Sequence, residues 1–268
     1  MKEHLMMRTV KKIFLLALIA SLMNISPLST AAENDRDKYE QRIYTDSAGA
    51  KLQYLLLKPK NYDPSKKYPL VVLLHGAGER GSDNAAQLRH GAMSFSNNAA
   101  MEKHPCFLLA PQCPNGMRWV ETDWGTLKHD MPEKPSVPLQ LTFEIIEALA
   151  KEFSLDPHRY YITGLSMGGY GTWDAIQRRP QLFAAAIPIC GGGDPKFAKA
   201  IAGIPVWAFH GDNDGAVKVV RSRDMIAAVK EAGGSPKYTE YPNVGHDSWS
   251  ATYRNPEVHD WLFAQKKN

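Results

Sequence analysis

The sequence predicts an α/β architecture: a mostly parallel central sheet with an N-terminal antiparallel hairpin and helices on both faces. Short runs rich in Val, Ile, Leu and Phe recur at residues 70–74, 107–110, 160–163, 184–189, 206–209 and 237–241. Most of them lack polar alternation, as strands buried on both faces do. Stretches with helical spacing lie between or after them, at residues 139–153, 167–178, 217–232 and 256–265, and Gly233-Gly234 stops the third. Strand and helix alternating in this way indicate parallel pairing with helical crossovers. Ahead of the first run, residues 40–45 and 51–57 flank Asp46-Ser47-Ala48-Gly49, which suits an antiparallel hairpin.

The first residues read as a secretory signal peptide. A basic start with Lys2, Arg8, Lys11 and Lys12 precedes an apolar run from Ile13 to Ile25 and the small residues Ser29-Thr30-Ala31-Ala32. The run is about a dozen residues, short of the roughly 20 that span a bilayer. Cleavage after Ala31 or Ala32 is expected, with export to the periplasm or the medium and no stable membrane anchor afterwards. Of the formal net charge of +4, the leader accounts for +3 through those four cations against Glu3. A near-neutral remainder without basic tracts gives no electrostatic reason to expect nucleic acid or anionic membrane as partner. Residues 33–268 are expected to form a single domain. Cys106, Cys113 and Cys190 are an odd number, so at most one disulfide is expected, and their spacing is not that of a zinc site.

The chemistry centres on Gly164-Leu165-Ser166-Met167-Gly168, set between a strand and a helix. The letters Gly-x-Ser-x-Gly alone occur by chance in about one chain of this length in ten, so the setting carries the assignment. A serine in such a turn is a nucleophile when a histidine takes its proton and an acid orients that histidine. The strand at 206–209 runs into His210-Gly211-Asp212-Asn213-Asp214-Gly215, which offers two acids at the sheet's C-terminal edge. His246, in Val244-Gly245-His246-Asp247, is the candidate base. The aspartates lack the alternating ligands and terminal glutamate of a calcium loop. His75 and His210, each before a glycine at a strand end, are expected to hydrogen-bond structurally. For a developing oxyanion, the N–H groups of Met167 and of Ala77, in His75-Gly76-Ala77-Gly78, are the candidate donors. No Gly-Lys-Ser/Thr follows that Gly-x-Gly, so it is not a nucleotide loop. Residues 111–138 form a long irregular segment, in which Trp119 and Trp124 either wall a substrate pocket or pack on the core. Glu79 and Arg80 either bind substrate or pair with each other. No metal or other cofactor is called for.

Taken together, Leu73-Leu74-His75-Gly76-Ala77-Gly78-Glu79-Arg80-Gly81, Ala110-Pro111-Gln112-Cys113-Pro114, the segment from Gly164 to Trp173 and that from Val244 to Trp249 resemble bacterial α/β-hydrolase esterases of the phospholipase/carboxylesterase and polyhydroxybutyrate-depolymerase-like groups. Some members are regarded as peptidases. The resemblance implies a Ser-Asp-His triad and selects Asp214, the second aspartate of His-Gly-x-x-Asp, over Asp212. It implies hydrolysis of short acyl or aryl esters, in some relatives acetyl or feruloyl groups on plant polysaccharide, so that the partner is a small-molecule or carbohydrate-linked ester. A serine peptidase with the same triad, or a non-catalytic binding protein on this scaffold, are the rival readings.

Overall fold

The computed structural model describes residues 35–267, so the expected leader at residues 1–32 lies outside the described residues. Eight strands make one sheet: β1 (Tyr39–Thr45), β2 (Lys51–Leu57), β3 (Tyr68–Leu74), β4 (Phe107–Gln112), β5 (Leu155–Leu165), β6 (Ala185–Ile189), β7 (Trp207–Gly211) and β8 (Lys237–Tyr241). Their spatial order is β1-β2-β4-β3-β5-β6-β7-β8. The hairpin pairs antiparallel, as does β2 with β4, and every later pairing is parallel. Asp46 closes the hairpin turn by accepting the N–H groups of Ala48 and Ala50. The helices are α1 (Ala92–Ser96), α2 (Asn98–Lys103), α3 (Val137–Glu152), α4 (Met167–Arg178), α5 (Ala198–Ile201), α6 (Val220–Glu231), α7 (Trp249–Arg254) and α8 (Pro256–Ala264). This is the α/β-hydrolase architecture that the motifs imply.

Strand alternation divides the core into two layers. Leu70, Val72 and Leu74 of β3 pack with Leu139, Ile146, Trp173, Ile176 and Met225 from α3, α4 and α6. Val71 and Leu73 pack with Phe95, Met101, Tyr253, Val258 and Leu262 from α1, α2, α7 and α8. Each strand residue therefore serves one face, and burying such a side chain contributes about 1.5–3 kcal/mol. The two edge strands depart most from the fully buried pattern: β8 has no buried residue, and β1 alternates half-buried and exposed positions after Tyr39. α6 begins three residues later than the apolar periodicity suggests, because the Asp214 side chain claims the N–H groups of Ala216 and Val217 and holds them in a loop.

The long segment after β4 is pinned to the sheet through His75. The Cys113 N–H donates to His75 Nε2 (2.9 Å), and the Trp119 indole N–H donates to the His75 carbonyl (3.0 Å). Ser136, which caps α3, donates to the Trp119 carbonyl at 2.8 Å. Trp119 is 0% exposed, so the expectation that it walls a substrate pocket is corrected: its ring fills the core beside α4, and the backbone around it is satisfied. All three cysteines are free and buried, and no disulfide forms.

Among the glycines of the described residues, the tightest approach lies between β3 and α4, where a Cβ on Gly168 would stand 1.9 Å from the Leu74 carbonyl oxygen. Gly168→Ala is expected to destabilise the protein by about 3 kcal/mol or more. Gly203→Ala, at a position with nothing within 4 Å, is expected to change stability by about 0.5 kcal/mol or less. Urea unfolding of both variants checks the contrast.

Burial pushes the His75 imidazole down to about 4. A histidine buried neutral contributes its full stability above its unfolded value near 6.5 and loses it as the pH falls through that window towards 4. The share due to His75 is on the order of 3 kcal/mol across this range, so the slope should flatten by about that amount in His75→Gln; unfolding free energy against pH, compared between the two proteins, measures it.

Candidate active site

Ser166 sits between β5 and α4 with φ +53° and ψ −118°. A non-glycine residue rarely adopts this conformation, and it persists only where the surroundings enforce it. Here β5 runs unbroken to Leu165, the Ser166 N–H donates to the Ile189 carbonyl of β6 (2.9 Å), and its carbonyl accepts from Tyr170 in α4 (3.1 Å). The absence of a side chain at Gly168 lets the helix close on Leu74. The turn thereby presents the serine Oγ at the end of the parallel strands.

His246 arrives on the loop after β8. Its Nε2 lies 2.9 Å from Ser166 Oγ, and its Nδ1 lies 2.7 Å from Asp214 Oδ2. With Nδ1–H donated to a carboxylate, Nε2 is left to accept the serine proton, which is the tautomer a general base requires. The ring meets the Trp249 indole edge to face, with centroids 5.2 Å apart. The loops that bear Asp214 and His246 are locked together: Asn213 N–H donates to the Val244 carbonyl at 3.0 Å. A Cβ on Gly211 would stand 2.3 Å from the Val244 and Gly245 carbonyl oxygens, so that approach requires glycine.

Asp214 is the acid that reaches His246, and Asp212 is exposed. The Asp214 side chain is fully buried, with Oδ1 accepting from Ala216 N–H (2.8 Å) and Val217 N–H (2.9 Å). His210 Nε2 stands 3.2 Å from Oδ2. Burial alone would raise the carboxyl's pKa; the hydrogen bonds from His210, His246 and Val217 overcome it and hold the group well below the usual carboxylate range. Cys190, in a positive-φ turn after β6, lies in the same cluster. Burial pushes its thiol up, while Asp214 Oδ2 and His246 Nδ1 are engaged with each other.

The two candidate oxyanion donors come from neighbouring segments. Met167 is the first residue of α4, where a helix leaves N–H groups without intrahelical partners. Ala77 opens the short 3₁₀ turn after β3, at Ala77–Glu79. Gly76, before it, packs so closely on Leu165 that a Cβ there would lie 2.8 Å from the leucine Cδ1, which sets this turn beside Ser166. Arg80 Nε donates to the Ala77 carbonyl at 3.0 Å. Glu79 and Arg80 do not pair with each other: Glu79 is buried and bonds Arg89 (3.3 Å), whereas Arg80 reaches back to its own turn. Trp124 is half-buried; its ring packs with Val120, Tyr170 and Val217 and carries the Arg118 guanidinium 4.5 Å above it. His75 makes structural hydrogen bonds only, but His210, expected to do the same, bonds the acid itself. The sequence signal for it was its position four residues before Asp214 at a strand end. Nothing in residue spacing singled out Trp249.

The chain is similar to several known proteins. Residues 136–204, which contain the Ser166 turn, match the model of the prolyl oligopeptidase family. A solved structure of a thermostable esterase superimposes with a TM-score of 0.81 at 44% identity, covering 87% of this chain and 64% of that one. An uncharacterised secreted protein of Arthroderma benhamiae is 26% identical over 238 residues, 74% of this chain and 24% of its own length. The bifunctional acetylxylan esterase/xylanase XynS20E of Neocallimastix patriciarum is 29% identical over 108 residues, 39% of this chain and 16% of its own. The chain thus spans a quarter or less of the length of these two curated relatives. The chain has the α/β-hydrolase fold, and its likenesses are consistent with the esterase group that its motifs resemble.

Proposed function

We propose that the protein is an exported serine carboxylic-ester hydrolase acting on short acyl or aryl esters. The observation that carries this reading is the unbroken chain of contacts from Ser166 Oγ to His246 Nε2 (2.9 Å) and from His246 Nδ1 to Asp214 Oδ2 (2.7 Å). In this reading His246 takes the serine proton as Oγ attacks the ester carbonyl carbon. The oxyanion is received by the N–H groups of Met167 and Ala77, each worth about 3 kcal/mol to the transition state. Collapse expels the alcohol, protonated by His246, and leaves an acyl-Ser166. Water, deprotonated by His246, then attacks the acyl carbon and releases the acid and free Ser166. Asp214 holds the imidazole tautomer and stabilises its charge.

Trp124, as the less buried tryptophan of the long segment, is the substrate-wall residue in this proposal. Likeness to a thermostable esterase and an acetylxylan esterase supports ester over amide, with acetyl or feruloyl groups on plant polysaccharide among the substrates to test. The prolyl oligopeptidase match favours a second reading, a serine peptidase with the same three residues. Turnover of 4-nitrophenyl acetate against an amino-acid 4-nitroanilide separates the two. Ester preference is expected, with kcat falling by roughly four to six orders of magnitude in Ser166→Ala and about four in Asp214→Asn. Anilide preference would make it a peptidase, and no turnover of either would favour a binding protein.

A further inference from the structure

We propose that His210 is a positioning residue, whose Nε2–H shares the Asp214 Oδ2 atom with His246 and so sets the orientation and basicity of the His246 imidazole. The proposal rests on the serine-hydrolase reading above. The His210 side chain is 0% exposed, with Nε2 3.2 Å from Asp214 Oδ2 and 3.0 Å from the Val217 carbonyl oxygen. An ionised carboxylate and a carbonyl only accept, so Nε2 carries a hydrogen. Its Nδ1 lies 2.7 Å from Ser222 Oγ, which lies 3.2 Å from the Gly191 carbonyl oxygen. Ser222 either donates to Nδ1 or accepts from it while donating to Gly191. The first leaves a neutral ring with its hydrogen on Nε2; the second, with Nε2 protonated as well, makes the ring an imidazolium. The ring is thereby held by β7, by α6 and by the turn after β6, with its Nε2 donor between the Val217 carbonyl oxygen (3.0 Å) and Asp214 Oδ2 (3.2 Å).

Each N–H on a carboxylate draws off part of its charge. Removing the His210 donor leaves more charge on Oδ2 to bind the Nδ1–H of a protonated His246. His246 then keeps its proton to higher pH, and the acidic limb of kcat/KM moves upward. The other ionisable groups around the pair are Cys190 after β6, Tyr170 on α4, Arg221 on α6, Glu240 on β8 and Asp247 beside His246.

Long-range 1H–15N spectra of the histidine-labelled wild-type protein read the ring directly, with the His210→Gln variant identifying its signals. A hydrogen on Nε2 is expected; a hydrogen on Nδ1 with bare Nε2 would overturn the proposal. For 4-nitrophenyl acetate, His210→Leu is expected to lower kcat/KM by roughly tenfold to a hundredfold and to raise the acidic limb by roughly half a pH unit. His210→Gln, which keeps an N–H donor, should bring the limb back towards the wild-type position. A folded His210→Leu protein whose profile superimposes on the wild type would contradict the proposal, and so would a His210→Gln profile that stays with the leucine variant. Wild-type protein without turnover but with the expected tautomer would sink the esterase reading and leave the contact itself established.

Discussion

The arrangement depends on a charge placed where solvent cannot reach it. Asp214 has a fully buried side chain, and burying an isolated carboxylate costs several kcal/mol. Two backbone N–H groups on Oδ1 and two imidazoles at Oδ2 meet that cost, and each of these donors fixes a piece of structure. The backbone pair delays the start of α6 and shapes the acid loop. His210 ties the carboxylate to β7, and His246 carries the connection out to Ser166. Losing any one donor would leave a buried charge less satisfied and a neighbouring segment less constrained.

The serine depends on the opposite kind of constraint, close packing of backbone. Its positive φ is held by hydrogen bonds to β6 and α4 and by the contact of Gly168 with Leu74. Because β3 also leads directly into the Ala77 turn, the same strand end that receives Gly168 positions the second candidate oxyanion donor. Ser166, His246, Asp214 and the Ala77 turn thus lie at the C-terminal ends of β5, β8, β7 and β3, with the two-layered core beneath them.

Much of this was legible in the residues because strand burial and helix spacing leave periodic marks. The parallel strands, the hairpin, α3, α4, α6, α8 and the Ser166 turn all carry them. The helices α1, α2, α5 and α7, of four to six residues, are too short to show a period. The choice of Asp214 over Asp212 came only from family likeness, since loop residues carry no register; burial and the 2.7 Å contact now supply a physical reason. Trp119 was open to either assignment because an indole in an irregular segment looks alike whether it faces solvent or core. The hydrogen bond to the His75 carbonyl, across 44 positions of sequence, is the kind of tertiary fact that spacing does not encode. The dual use of Asp214 Oδ2 by His210 and His246 was hidden for the same reason.

Fluorophosphonates react with activated serines, the role proposed for Ser166. Incubating the protein with a fluorophosphonate and locating the adduct by peptide mass spectrometry tests it most directly. One covalent phosphonyl group per chain, on Ser166, is expected, with labelling strongly slowed in His246→Ala. An unlabelled Ser166 in folded wild-type protein, or an adduct confined to another residue, would contradict it.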